Sequence, residues 1–102
     1  MDKLQEALMD KPSIGGRLCP FCGRIAQNRH HIVFRSQGGG NGPTINVCGV
    51  GNASGCHGLL HQHRIHLRWN DDGYWEWKGT REPTKYSEAL KLDGWERVHE
   101  YA

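Results

Sequence analysis

The sequence predicts a small α+β fold in which short strands and a short helix precede a β-hairpin and a final helix. Apolar and polar residues alternate over residues 65–69, and residues 70–73 (NDDG) then supply a hairpin turn. His57 and His61 have the spacing that puts two side chains on one helix face. Because 14 of the 102 residues are glycine and only 36% are apolar, we expect a metal or disulfides to support a thin core.

The individual elements follow from local patterns along the chain. Residues 1–10 place Leu4 and Leu8 on one face and predict a helix, which Pro12 and the glycines after it end. The remaining predicted elements are a tight cysteine turn at 19–23, strands at 30–34 and 44–47, a glycine-rich loop at 49–55, a helix at 56–63, hairpin strands at 65–69 and 74–78, and a helix at 87–101 with Ser87 as N-cap. We expect one domain, with a helix and linker at 1–16, a metal-binding core at 17–68, and a packing hairpin and helix at 69–102.

The distribution of charge indicates a polyanionic partner. No Asp or Glu occurs between Lys11 and Asn70, whereas this stretch carries seven Lys and Arg residues and six of the seven histidines. Arginines in such a block can neutralise phosphates and release counterions, which favours nucleic acid. The alternative is a solvated basic surface without a partner. No segment has the pattern of a signal peptide or a membrane span, so we expect a cytoplasmic protein with reduced cysteines.

Four cysteines form two candidate pairs. Cys19 and Cys22 have the two-residue gap that lets both thiolates face one tetrahedral ion, while Cys48 and Cys56 are separated by a longer loop. Four thiolates would complete a closed structural zinc site. Two disulfides are the alternative, and the expected reducing compartment favours zinc.

The histidines predict a second metal site. His57 and His61 can share one ion from one helix face. A third ligand comes from the pair His30-His31, because neighbouring residues on a strand point to opposite faces and only one of them can face the metal. Three protein ligands with open positions are typical of a catalytic metal. The alternative is incidental enrichment in histidine, and His63 falls outside the spacing pattern.

These motifs resemble the HNH endonucleases. The resemblance covers Cys19 to about residue 66, and its order is a cysteine pair, a His-His-Ile-Val run, a Gly-Gly loop, an Asn-Val strand and a Cys-His-Gly-Leu-Leu-His helix. It implies a ββα-metal unit, in which two strands joined by a long loop are followed by a helix. The four cysteines look like those of small phage and restriction-type members that have a zinc knuckle.

The resemblance also implies a role for each matching residue. His30 is a metal ligand, His31 is the general base, and Asn46 fixes the long loop by backbone hydrogen bonds and helps to orient the base. His57 and His61 complete the catalytic site, which would hold Mg²⁺, Mn²⁺, Ni²⁺ or Zn²⁺.

The resulting hypothesis is an endonuclease that hydrolyses DNA phosphodiester bonds. The expected DNA-binding residues are Arg29, Arg35, Arg64 and Arg68. Stand-alone chains of this type resemble those of phages, which implies a bacterial host cell and DNA-packaging proteins as further partners; we expect a monomer. The alternative is a non-catalytic zinc-knuckle module that binds nucleic acid, and a hydrolase with another substrate is a third hypothesis.

Overall fold

Two small antiparallel sheets form the framework of the protein, which is described here by a computed structural model for residues 6–34 and 38–99. The elements are β1 (Asn28–His31), a 3-10 turn (Gly39–Asn41), β2 (Thr44–Val47), α1 (Gly55–His61), β3 (Ile65–Trp69), β4 (Trp75–Gly79), α2 (Tyr86–Ala89) and β5 (Glu96–Arg97). The predicted α+β class is confirmed.

The first sheet pairs β1 with β2 and sets the two neighbouring histidines on opposite faces. His30 lies opposite Ile45, and His31 lies opposite Thr44. His30 is only 3% exposed and Ile45 is fully buried, so their face of the hairpin turns inward. The predicted strand at 30–34 is wrong in its bounds, since pairing ends at His31 and Val33 turns into the core instead.

The segment at residues 12–14 lies between the two sheets. Ile14 forms a parallel bridge with Ile45 of β2, and its N–H donates to the carbonyl of Thr44 at 2.7 Å. The indole N–H of Trp75 in β4 donates to the carbonyl of Pro12 at 2.8 Å. Of the helix predicted at 1–10, residues 1–5 lie outside the described residues, and residues 7–10 form turns with Leu8 buried.

The second sheet has the order β3-β4-β5 and contains the predicted hairpin. β3 spans the predicted residues, and β4 begins one residue later than predicted. Asn70 accepts a hydrogen bond from the N–H of Asp72 at 2.6 Å, and Gly73 adopts φ +94°, as tight turns of this sequence require.

The predicted helix at 87–101 is wrong. Helix α2 ends at Ala89, and Glu96–Arg97 pairs with β4 as an antiparallel strand; residues 100–102 lie outside the described range. The N-cap is Lys85 rather than Ser87. Gly94 turns the chain with φ +91°, and Lys78 donates a hydrogen bond to the carbonyl of Asp93, so tertiary contacts override the helical pattern.

The core lies where the two sheets and α1 meet. Its fully buried side chains include Val33, Ile45, Val47 and Cys19. Within the described ranges, none of the helices has the length and apolar character needed to cross a membrane.

Candidate metal centres

The four cysteines lie together in one cluster. Their sulfur atoms are all within 4.8 Å of one another, and none of them is in a disulfide. A tetrahedral zinc with Zn–S bonds of about 2.3 Å separates its sulfurs by about 3.8 Å, so one ion fits this set. Cys19, Cys48 and Cys56 are buried, whereas Cys22 is exposed. The cysteine cluster could therefore hold a zinc ion.

Hydrogen bonds around the cluster favour the thiolate form of Cys19, and the same contact raises the pKa of its partner Cys56. The Cys56 thiol hydrogen bonds to Cys19 and lowers the pKa of Cys19 to about 4, and the backbone at Cys48 acts in the same direction. The backbone N–H of Cys56 also donates to the sulfur of Cys48 at 3.3 Å. Donors aimed at sulfur stabilise negative charge there, which is the form that binds metal.

The loop at residues 49–55 explains how a long spacer still brings Cys48 and Cys56 together. Gly49 and Gly55 lie back to back, with φ +118° and +60°. The Ser54 hydroxyl accepts a hydrogen bond from the N–H of Val50 and donates one to its carbonyl, at 2.9 and 2.8 Å. The contact between Gly49 and Gly55 joins the two ends of the loop, and it brings the adjacent residues Cys48 and Cys56 together.

Replacement of Gly55 by alanine should therefore weaken zinc binding. A Cβ at this position would lie 2.8 Å from both the carbonyl oxygen of Cys48 and the Cα of Gly49. Overpacking against backbone costs about 1–3 kcal/mol, which is roughly ten- to hundredfold in affinity. Competition with a chromogenic chelator measures the change.

Gly51→Ala is the matched control for this prediction. Gly51 also has a positive φ of +83°, but a Cβ there would meet nothing within 4 Å. The control thus carries the cost of left-handed backbone without the collision. Equal zinc affinity in the two variants would contradict the proposed role of the Gly49–Gly55 contact.

A second cluster consists of three histidines from β1 and α1. One ring nitrogen from each of His30, His57 and His61 lies within 4.8 Å of the others. The Nε2 atoms of His57 and His61 are 3.2 Å apart. Two nitrogens bound at about 2.0–2.1 Å to one tetrahedral ion would be about 3.4 Å apart, so this histidine cluster fits a single metal.

The surroundings keep the imidazoles of His30 and His57 neutral. Burial, and then the neighbouring His57 and His61, lowers the pKa of His30 to about 3. Burial and His61 also lower the pKa of His57. A neutral imidazole offers a nitrogen lone pair, so both rings are in the form that binds metal at physiological pH.

Phe34 packs against the histidine cluster and was missed by the sequence analysis as a site residue. Its ring stacks on His61 with centroids 5.3 Å apart and an angle of 16°, and meets His30 edge-on at 5.5 Å. These contacts restrict how the two imidazoles rotate. The only sequence signal for Phe34 as a site residue is its position in the apolar run after His30 and His31.

The outer face of the first sheet carries the other predicted catalytic residues. Arg29 and His31 lie on the face of β1 opposite to His30. Arg29 pairs with Asn46 of β2, so Arg29, His31 and Asn46 share this outer face. The Asn46 amide donates to the carbonyl of Gly16 at 3.2 Å, which connects β2 to the N-terminal segment. The hydrogen bonds of the described residues include none from the Asn46 side chain to the long loop.

The four arginines predicted to bind DNA differ in their surroundings. Arg29 is exposed beside His31, and Arg35 lies outside the described residues. The buried Nε of Arg64 has no hydrogen-bond partner within the described part of the chain. Arg68 pairs with Glu76 at 2.9 Å, and its guanidinium lies 4.2 Å from the centroid of the Trp95 ring. Its charge is thus partly neutralised inside the protein.

A cavity of about 410 Å³ borders the histidine cluster. His30 and Phe34 form part of its wall, together with His66 and Lys85. The Nε2 of His66 is buried without a hydrogen-bond partner among the described residues, and burial lowers the pKa of that ring.

Comparisons with known protein families, curated proteins and solved structures find no match for this chain.

Proposed function

We propose that this protein is a metal-dependent endonuclease of the HNH type that hydrolyses DNA. The observation that carries the proposal is the histidine cluster, in which His30, His57 and His61 bring three ring nitrogens within reach of one ion. The neighbouring His31 lies on the outer face of the same strand.

Charge around the site supports a phosphodiester substrate. The histidine cluster contains no carboxylate, and the cavity beside it is lined by no aspartate or glutamate among the described residues. Lys85 lines that cavity, and Arg29 is exposed on the face that carries His31. An anionic substrate would meet cations and imidazoles here without like-charge repulsion.

In the proposed mechanism, His31 accepts a proton from the attacking water on its unprotonated ring nitrogen. His31 directly follows His30 along β1 and lies on the opposite face of that strand. Arg29 binds a phosphate next to the scissile bond, and Asn46 holds the strand that faces His31. His30, His57 and His61 would hold a divalent ion, which would supply Lewis-acid stabilisation for the leaving 3′ oxygen.

The cysteine cluster has a structural role in this proposal. It lies at the N-terminal end of α1, where Cys56 precedes His57, and the N–H of His57 donates to the carbonyl of Cys48 at 3.1 Å. A zinc held by the four thiolates would fix the start of the helix that carries two histidine ligands.

A metal-screened plasmid-cleavage assay tests the proposed function. We expect nicked or linear DNA with Mg²⁺, Mn²⁺, Ni²⁺ or Zn²⁺, and none after the chelator EDTA. His57→Ala should lose cleavage because a ligand is gone, while the zinc of the cysteine cluster, counted by cobalt substitution and thiolate absorption, stays bound.

Absence of cleavage with every metal, together with retained DNA binding, would contradict the enzyme and favour the zinc-knuckle binding module. Gln62→Ala is the control for His57→Ala, because Gln62 is exposed just after α1 and belongs to neither cluster.

A further inference from the structure

A second cleft lies away from both metal clusters, between residues 12–14 and the start of β4. It has a volume of about 570 Å³ and shares no lining residue with either cluster. Its lining includes the aromatic residues Trp69, Tyr74 and Trp75, and also Arg97, Val98 and His99. The proposed cleavage mechanism uses none of these side chains.

The aromatic rings of this cleft, called the aromatic cleft below, are held in place by contacts with each other and with the backbone. Trp69 and Trp75 meet edge-on with centroids 5.4 Å apart and an angle of 83°. The indole of Trp75 is anchored by its hydrogen bond to the Pro12 carbonyl at 2.8 Å. Trp69 and Tyr74 are partly exposed, so their rings are accessible to a ligand.

The charge at the aromatic cleft is positive and comes from Arg97 and Lys11. The guanidinium carbon of Arg97 lies 4.5 Å from the centroid of the Tyr74 ring, and no ion pair engages Arg97 within the described residues. No aspartate or glutamate is among the described residues that line the cleft. Lys11 adds charge at the rim, with its Nζ 5.5 Å from the Trp69 ring and 3.7 Å from the exposed Asp10.

This combination selects for one class of ligand. Aromatic clefts can bind cations, but Arg97 and Lys11 already occupy that role and repel a further positive charge. A ligand with a flat π face and a negative charge can contact both the aromatic rings and the basic side chains. An unpaired nucleotide has both features, since its base stacks on aromatic rings or guanidinium planes and its phosphate accepts hydrogen bonds.

We propose that the aromatic cleft binds an unpaired nucleotide of a single-stranded nucleic acid. The base stacks on the layer formed by Tyr74 and Arg97 beside Trp69, and the Arg97 guanidinium donates to the adjoining phosphate. This inference goes beyond the proposed cleavage, because binding here requires neither the histidine cluster nor its metal.

The test uses the full-length, zinc-loaded chain with the substitution His31→Ala, which prevents loss of the probe by cleavage. Fluorescein-labelled oligothymidylate, oligouridylate and a DNA duplex are titrated, with polarisation and tryptophan fluorescence as readouts. We expect both single strands to bind more tightly than the duplex and to quench tryptophan fluorescence. Tighter binding of oligothymidylate identifies DNA as the source of the nucleotide, and tighter binding of oligouridylate identifies RNA.

Two substitutions locate the binding to the cleft. Tyr74→Leu should weaken single-strand binding about tenfold by removing a stacking surface. Arg97→Gln should reduce the slope of log affinity against log salt by about 0.7, the contribution of one phosphate contact on a single strand. Arg81→Gln is the matched control, because Arg81 is exposed and lies outside the cleft.

Equal affinity and salt slope in Arg97→Gln and Arg81→Gln would overturn the proposal, as would preferred binding of the duplex without tryptophan quenching. Arg97 is exposed at the end of a two-residue strand, so its substitution keeps the test valid even where Tyr74→Leu disturbs folding. Because binding is measured in a variant that does not need to cleave, failure of the proposed nuclease activity leaves these outcomes unchanged.

Discussion

Replacement of His31 by alanine is expected to reduce DNA cleavage by about 10²–10⁴-fold, the usual contribution of a general base. His31 belongs to neither cluster of metal-binding side chains, and it lies on the face of β1 opposite His30. The variant should therefore bind the same number of metal ions as the unaltered protein and unfold at the same temperature. Initial rates of supercoiled-plasmid loss measure the effect.

His63→Asn is the control for this variant. His63 is an exposed histidine near the site, and its φ of +58° is a backbone conformation that asparagine tolerates. We expect cleavage by His63→Asn to stay near that of the unaltered protein. If His31→Ala cleaves as fast as this control, His31 is not the base, whatever the metal content.

Replacement of Cys19 by serine is expected to remove the structural zinc and unfold the protein. Cys19 is fully buried and accepts hydrogen bonds that favour its thiolate, so serine leaves a poor ligand in the same place. Structural zinc sites contribute about 10–16 kcal/mol at neutral pH. Small domains are stable by only about 5–15 kcal/mol, so the loss of the zinc is comparable to the whole free energy of unfolding.

Zinc content per chain and the cooperative unfolding transition test this expectation together. Val33→Thr is the control, because Val33 is equally buried and the change places a hydroxyl in the core without touching the cysteine cluster. It should lose some stability but retain zinc. A Cys19→Ser protein that retains one tightly bound zinc and a normal transition would show that the four thiolates do not form the site.

Short-range patterns were sufficient for strand β2, the β3–β4 hairpin and the placement of two histidines on one side of α1. Strand β2 was predicted with its observed bounds, and the spacing of His57 and His61 placed them on one side of α1. In each case the pattern and the structural cause are local, since strand alternation and helix periodicity involve residues close in sequence.

What the sequence could not reveal depends on contacts between distant residues. The long spacer after Cys48 closes because Gly49 and Gly55 touch, which no periodicity reports. The final helix does not form because the segment after Ala89 returns to the second sheet, where Glu96–Arg97 pairs with β4 and Trp95 lies against Arg68 of β3. Such tertiary contacts override local propensity.

The position of residues 12–14 between the two sheets also has a consequence for the order of folding. The hydrogen bond from the Trp75 indole to the Pro12 carbonyl joins residues that are 63 positions apart. The β3–β4 hairpin joins residues that are separated only by a short turn. Loop closure of that length is slow and entropically costly before other contacts exist. During synthesis, Pro12 leaves the ribosome long before its partner. The cysteine cluster, the first sheet and α1 all end before residue 62, so their residues are synthesised before the second sheet begins at Ile65, and the aromatic cleft needs the still later Arg97.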